Sequence, residues 1–398
     1  EFDGNKKSEY HWGYMPVSFF APASAYGSDP ESGISISEFK ELVKALHECG
    51  LAVILDVVYN HVGIPNHLLN LDRNLYFRTE DSGKLQNCSG CGNDLRCEAE
   101  PVKKLILDSL KYLVETFDLD GFRFDLGELM GFDLLEEIQE KMDFLKPGIL
   151  LIAEPWSFRG RLPTNLNCTN YSLWSDECRE KVFRFVQGTG NKIDALNFLR
   201  GKLDLGKKYP WQSLNYLESH DDYSLVDRFC SIEEIKKGIE QQSIQKVKLA
   251  LALLLLSPGV PMISAGQDLM RHKQGIRNTY RRGDLNKIDY SRFEKYRELA
   301  QDIRFLIKFR LSDQGEFLRP HDFGECQYQE LDFANESCLG LKIFHSKSGN
   351  AYYLLANASP SNIEFSLPET NNGSLSVLKD GVFVEGAGLS GCLRPLSY

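Results

Sequence analysis

Four apolar, strand-like runs in this chain each deliver an acid at or near their C-terminal end. Residues 51–58 carry Asp56, residues 121–125 end on Asp125, residues 148–154 end on Glu154, and a run starting at 214–217 leads into Asp221. An apolar run interrupted by a single acid is how a parallel strand reads when both its faces are covered. Helical patterns separate the runs, at 37–50, 102–117, 132–145, 244–256 and 295–309, and a further strand is expected at 260–265 after the Pro258-Gly259 turn. Ser37 is expected to cap the first helix, with Glu41 near its first turn, and Gly50 to stop it. Strand and helix in alternation predict an α/β fold with a parallel sheet and crossover helices. If the sheet closes into a (β/α)8 TIM barrel, all strand ends meet on one face. In a doubly wound sheet they would line a crevice. One strand-end acid is ordinarily a helix cap in the next loop. Four of them, each with a His, Arg or aromatic neighbour, call for a shared site.

From about residue 312 the pattern changes to short alternating runs, at 338–345, 351–357, 362–367 and 375–377, separated by Gly, Asn, Ser and Pro. This predicts a C-terminal antiparallel β-sandwich over 312–398, with the α/β domain over 1–311. A formal net charge of -10 argues against a nucleic-acid partner. The longest apolar run, 247–256, is too short for a membrane span and reads as a buried helix. Cys88, Cys91 and Cys97 cluster, but without a second C-x-x-C or paired histidines they do not make a zinc site. Free thiols in a reducing cytoplasm, and no metal or cofactor, are expected. Residues 1–12 lack the apolar segment of a signal peptide. Position 1 is not Met, and the sequence reads like a domain interior by residue 12, so a piece of a longer protein is expected.

Arg123 and Asp125 are two apart on one strand, so alternation puts both side chains on the same face. An arginine there keeps the carboxylate charged and aimed. Glu154 ends an apolar strand in Ala-Glu-Pro-Trp, and desolvation favours the protonated form of such a carboxyl. A carboxylate and a carboxylic acid together are the equipment for cleaving a glycosidic bond. Trp156 and Phe158 could stack against a sugar ring. Asp221, after His220, could bind sugar hydroxyls. The histidines His11, His47, His67, His272, His321 and His345 read as surface or loop residues.

Asp56-Val-Val-Tyr-Asn60-His61, Gly121-Phe-Arg123-Phe-Asp125, Ala153-Glu154-Pro-Trp156 and Ser219-His220-Asp221 resemble, in order and spacing, the four sequence regions of the α-amylase family. The resemblance covers about residues 12–395. It implies Asp125 as nucleophile, Glu154 as general acid/base and Asp221 as transition-state stabiliser. Arg123, His61 and His220 would line the subsite of the sugar being cleaved, Tyr14 would stack on that sugar, and Asp56 and Asn60 would be structural supports. Trp12-Gly-Tyr-Met-Pro16, Phe20-Ala-Pro22, Ser89-Gly-Cys-Gly-Asn93, Glu154-Pro-Trp156 and the stretch from Gly266 through Asn278, Tyr280 and Asp284 are similar to the debranching subgroup, isoamylase and pullulanase. That subgroup implies a retaining hydrolase of α-1,6 branch linkages in glycogen, starch or limit dextrins. A branching enzyme or other transglycosylase of the family, and a non-catalytic glycan-binding subunit, are the alternatives. The chain departs from the family pattern in starting near the end of the second barrel strand, without a preceding glycan-binding domain. It departs again at Glu128, where a carboxylate could act on Asp125 or bind an acceptor sugar.

Overall fold

A computed structural model of the chain describes residues 10–163, 166, 169–202, 207–366, 375–379, 382–386 and 390–393. Its described residues form two compact units, one within 12–174 and the other of residues 10–11 and those within 175–398.

The first unit holds four strands: β1 (Ile54–Val57), β2 (Gly121–Phe124), β3 (Leu150–Ala153) and β4 (Tyr171–Ser175). They pair in parallel in that order, with Asp56 opposite Arg123 and Arg123 opposite Ile152. Its helices cover Ser35–Glu48, Glu100–Phe117 and Phe132–Leu145. The second of these buries Val102, Ile106, Leu110, Leu113, Val114 and Phe117, the spacing that makes one apolar face. They pack with Phe122, Phe124, Leu151 and Ala153 into one core. The first helix starts earlier than the sequence suggests. Ser37 does not cap it, because its hydroxyl donates back to the Ile34 carbonyl at 2.9 Å. Strand β4 was not anticipated: Tyr-Ser-Leu-Trp-Ser has too little apolar alternation to announce itself, yet four of its five residues are buried.

Asp120 ties the N-terminal ends of these strands together. Its carboxylate accepts from the Val53 amide at 2.8 Å, from His47 at 2.8 Å and from Lys146 at 3.0 Å. Burial opposes its ionisation, but these donors outweigh burial and hold its pKa down at about 2. Register fixed at one end of parallel strands fixes which residues emerge at the other.

The second unit holds β5 (Ser213–Tyr216) and β6 (Val260–Met262), paired in parallel with Leu214 opposite Val260. Between them lies the helix Gln241–Leu255, whose residues from Leu249 to Leu255 are all buried, so the apolar run is a core helix. The helices Asp176–Gln187 and Lys192–Leu199 were not predicted, and Arg297–Leu311 lies close to its expected place. Arg310, buried, donates to the carbonyls of Leu255, Ser257, Gly259 and Leu318 at 2.6–2.9 Å and so clamps the Pro258-Gly259 turn.

The C-terminal part is antiparallel. Strands β7 (Cys326–Leu331), β8 (Cys338–His345) and β9 (Ala351–Asn357) form one sheet in that order. Beyond it, β10 (Ile363–Ser366), β11 (Leu375–Lys379), β12 (Val382–Gly386) and β13 (Ser390–Leu393) form the pairs β10–β13 and β11–β12. His345 is not a surface residue: it is fully buried at the end of β8, with Nδ1 on the Ser348 hydroxyl at 3.0 Å. Cys49, Cys88, Cys91, Cys97, Cys230, Cys326 and Cys338 are free thiols. Among the described residues no helix is long and apolar enough to cross a membrane.

Candidate active site

In the first unit, alternation along β2 sends Phe122 and Phe124 into the core and Arg123 to the other face, and all three are buried. The guanidinium of Arg123 gathers three carboxyl groups. Nη1 donates to Asp56 Oδ1 at 2.8 Å and to Asp125 Oδ1 at 2.9 Å, and Nη2 donates to Glu154 Oε2 at 2.8 Å. Asp125 and Glu154 are each less than a tenth exposed, whereas the Asp56 side chain is 42% exposed. Burial works against the charge on Arg123, but Asp56, Glu154 and Asp125 outweigh it and hold the guanidinium protonated. Its face also lies 4.5 Å from the Trp174 ring and 5.7 Å from the Tyr14 ring.

Each carboxylate is fixed by a second donor. Asn60 donates from Nδ2 to Asp125 Oδ2 at 3.0 Å and to the Asp125 carbonyl at 2.7 Å. Glu154 Oε2 also accepts from the Leu126 amide at 2.9 Å. That amide is aimed by a left-handed backbone at Leu126, φ 41°, an uncommon conformation for a non-glycine residue. Tyr14 donates its hydroxyl to Asp56 Oδ2 at 2.7 Å; burial and the Asp56 charge hold the phenol protonated. His61 has Nδ1 on Asn60 Oδ1 at 2.5 Å and Nε2 on the Tyr14 carbonyl at 2.7 Å, and burial lowers its pKa. Tyr14 is thus held by Asp56 through its hydroxyl and by His61 through its carbonyl. Gly63 brings the 14–16 segment in: its amide donates to the Pro16 carbonyl at 2.7 Å, and a Cβ there would lie 2.4 Å from the Met15 oxygen.

Trp156 sits in the loop after β3, bridged to Arg161, with its ring 6.5 Å from that of Trp174 at 68°. Phe158, 82% exposed, lies beyond it. In the same loop Ser157 and Arg159 hold the Glu128 carboxylate, the latter from Nε at 3.0 Å. Glu128 therefore ties the loop after β2 to the loop after β3.

The 89–93 motif has a local reason. It wraps the fully buried Asp94, which accepts from the Cys88 and Ser89 amides and the Ser89 hydroxyl. Asp94 also bridges to His61, and the Leu95 amide donates to the Asn60 carbonyl. Asp94 and Trp174 were both missed from the sequence. Asp94 directly follows the Ser89–Asn93 motif, and Trp174 belongs to a strand with too little apolar alternation to be read from sequence.

In the second unit β5 stops at Tyr216, and the acid that follows it directly is the buried Glu218. Burial pushes the pKa of Glu218 up against the Leu225 amide and Arg271. Asp221 stands further on in the loop, half exposed, 3.5 Å from His220 Nε2. The expectation that the strand itself presents Asp221 is corrected accordingly.

A parallel α/β sheet whose strand ends present buried carboxyl groups on one arginine, with aromatic rings beside them, gathers the kinds of group that cleaving a glycosidic bond requires. No family model matches the chain. Among curated proteins it is 31% identical to pullulanase from Bacillus subtilis (strain 168) over 398 aligned residues, covering 90% of this chain and 54% of that protein. It is 30% identical to the chloroplastic isoamylase 1 of Arabidopsis thaliana, covering 78% of this chain and 48% of that protein. Among solved structures, pullulanase type I from Bacillus subtilis, complexed with maltose, superposes with a TM-score of 0.86 at 26% identity, covering 98% of this chain and 59% of that one. The chain belongs to the debranching subgroup of the α-amylase family. It spans about half the length of the curated relatives it matches.

Proposed function

We propose that the protein hydrolyses α-1,6 branch linkages in glycogen- or starch-type α-glucans by double displacement with retention. The observation that carries this reading is the Arg123 guanidinium, which holds Asp125 and Glu154 at once from two adjacent nitrogens. A single planar group joining both carboxyls keeps them close, and retaining glycosidases have theirs about 5–5.5 Å apart. Three carboxyl groups facing one guanidinium leave the centre rich in negative charge, which suits an oxocarbenium-like transition state. Glu154, as general acid, gives a proton to the leaving oxygen as the Asp125 carboxylate attacks the anomeric carbon. The glycosyl ester on Asp125 then yields to a water that Glu154 deprotonates, which restores both groups. Asp221 supports charge on the reacting sugar, His61 and His220 contact that sugar, Tyr14 and Trp156 stack on rings, and Asp56 and Asn60 act as supports.

The fold we assign is a (β/α)8 barrel over 1–311 followed by a β-sandwich over 312–398. Free thiols at Cys49, Cys88, Cys91 and Cys97 suit a reducing cytoplasm. The test compares the full-length protein with its Asp125→Asn variant on glycogen or amylopectin. Short linear chains with new reducing ends are expected from the first and none from the second. Chains rearranged without new reducing ends would establish a transglycosylase instead. Polysaccharide binding without either product would establish a glycan-binding subunit.

A further inference from the structure

Lys273 is fully buried in the second unit, and its ammonium group meets no carboxylate within hydrogen-bond reach among the described contacts. Instead Nζ donates to three backbone carbonyls of one loop: His220 at 2.6 Å, Asp222 at 3.0 Å and Ser219 at 3.4 Å. An ammonium has three donors and no acceptor, so this loop uses all of them. The carbonyls belong to the residues on both sides of Asp221. Burying an ammonium costs free energy that a Met of similar size would not cost, so the lysine is explained by the carbonyls it collects.

The same loop is held from other directions. The Asp227 carboxylate accepts from the Lys273 amide at 2.6 Å, the Gly275 amide at 2.8 Å and the Ser224 hydroxyl at 2.6 Å. Asp222 takes a left-handed backbone, φ 60°, while its amide donates to Asn278 Oδ1 at 2.9 Å and its carboxylate accepts from Arg277 at 2.8 Å. A strained residue immediately after Asp221 persists only if its surroundings over-determine it.

We propose that Lys273 is a positioning residue, which fixes the backbone on both sides of Asp221 and thereby aims the Asp221 carboxylate. This rests on the role given to Asp221 above. Four charged or titratable groups act on Lys273: Glu218, Arg271, Asp221 and Asp227. Burial outweighs the attraction of Glu218 and lowers the lysine to about 8. Deprotonation removes one of its three donors, so the loop is held fully below that pH and loosens above it.

The experiment uses the full-length protein and a double-mutant cycle of Lys273→Met with Asp221→Asn, read as kcat and KM on a branched α-glucan. Lys273→Met lowers kcat by roughly 100-fold, the scale of a 1 Å misplacement, with KM within about threefold. In the Asp221→Asn background the same change costs less than about threefold, because the group it aims is already gone. A full further 100-fold loss there overturns the proposal. If Lys273→Met does not fold, Lys273→Gln, which keeps two donors, takes its place in the same cycle and lowers kcat less. Amide exchange gives an arm independent of turnover: either variant speeds exchange over residues 219–223, and unchanged exchange there refutes the proposal. A wild-type protein that releases no linear chains instead refutes the debranching function, and the exchange arm still decides whether Lys273 holds the loop.

Discussion

Arg123 and Asp125 stand two positions apart at the end of one strand, and Nη1 of the first donates to Oδ1 of the second at 2.9 Å. The alternation of a strand puts them on one face. What alternation does not supply is the other half of the guanidinium, which reaches across to Glu154 on the neighbouring strand at 2.8 Å.

Lysine at position 123 keeps the charge but cannot hold two carboxylates from one rigid plane. Arg123→Lys is expected to lower kcat on a branched glucan by about 10²–10³-fold, comparable to losing one preorganised donor. Steady-state kinetics check this. A kcat within tenfold of wild type would mean that the bridge does not organise the reacting pair.

The acid limb of stability has a named contributor. Asp120 is held at about 2, below its ordinary 3.8. A depressed carboxylate stabilises the fold above its unfolded pKa, and that contribution fades as pH falls from about 4 to 2. Asp120→Asn is expected to cost about 2 kcal/mol at pH 7 and only about 0.4 kcal/mol at pH 2, where the folded carboxyl is half protonated. Urea unfolding at both pH values measures the difference.

A methyl group on residue 63 has nowhere to go, because its carbon would lie 2.4 Å from the Met15 oxygen. Gly63→Ala must push away the segment that carries Tyr14. A loss of about 1–3 kcal/mol and a raised KM are expected, read by denaturation and by substrate titration. Unchanged KM would separate Tyr14 from substrate binding.

Glu128 is engaged by Ser157 and Arg159. Glu128→Gln keeps the hydroxyl contact and loses an ion pair whose arginine is 42% exposed, worth at most about 1 kcal/mol. The acid limb of the kcat/KM profile is expected to stay where it is in wild type. A limb displaced in the variant would show that the Glu128 charge acts on Asp125 after all.

Much of this protein is legible in its sequence. Apolar runs ending in Asp56, Asp125 and Glu154 follow from the period of a strand, and the helix at Phe132–Leu145 and the strand Cys338–His345 fall where their patterns put them. Such local periodicity records which face each residue turns inward. The Asp-x-x-x-Asn-His and Gly-Phe-Arg-Phe-Asp motifs name residues that the fold brings together, because Asn60, Arg123 and Asp125 meet in one hydrogen-bonded cluster. Partners chosen across sequence distance are not recorded in this way. Asp94 pairs with His61 across an isolated β-bridge, Trp174 faces Arg123 from a strand too polar to recognise, and Lys273 reaches back to the carbonyls around Asp221. Hydrogen bonds to backbone carbonyls carry no residue-type signature in the accepting segment. A buried lysine and a surface lysine are spelled alike until the tertiary structure decides which one loses its water.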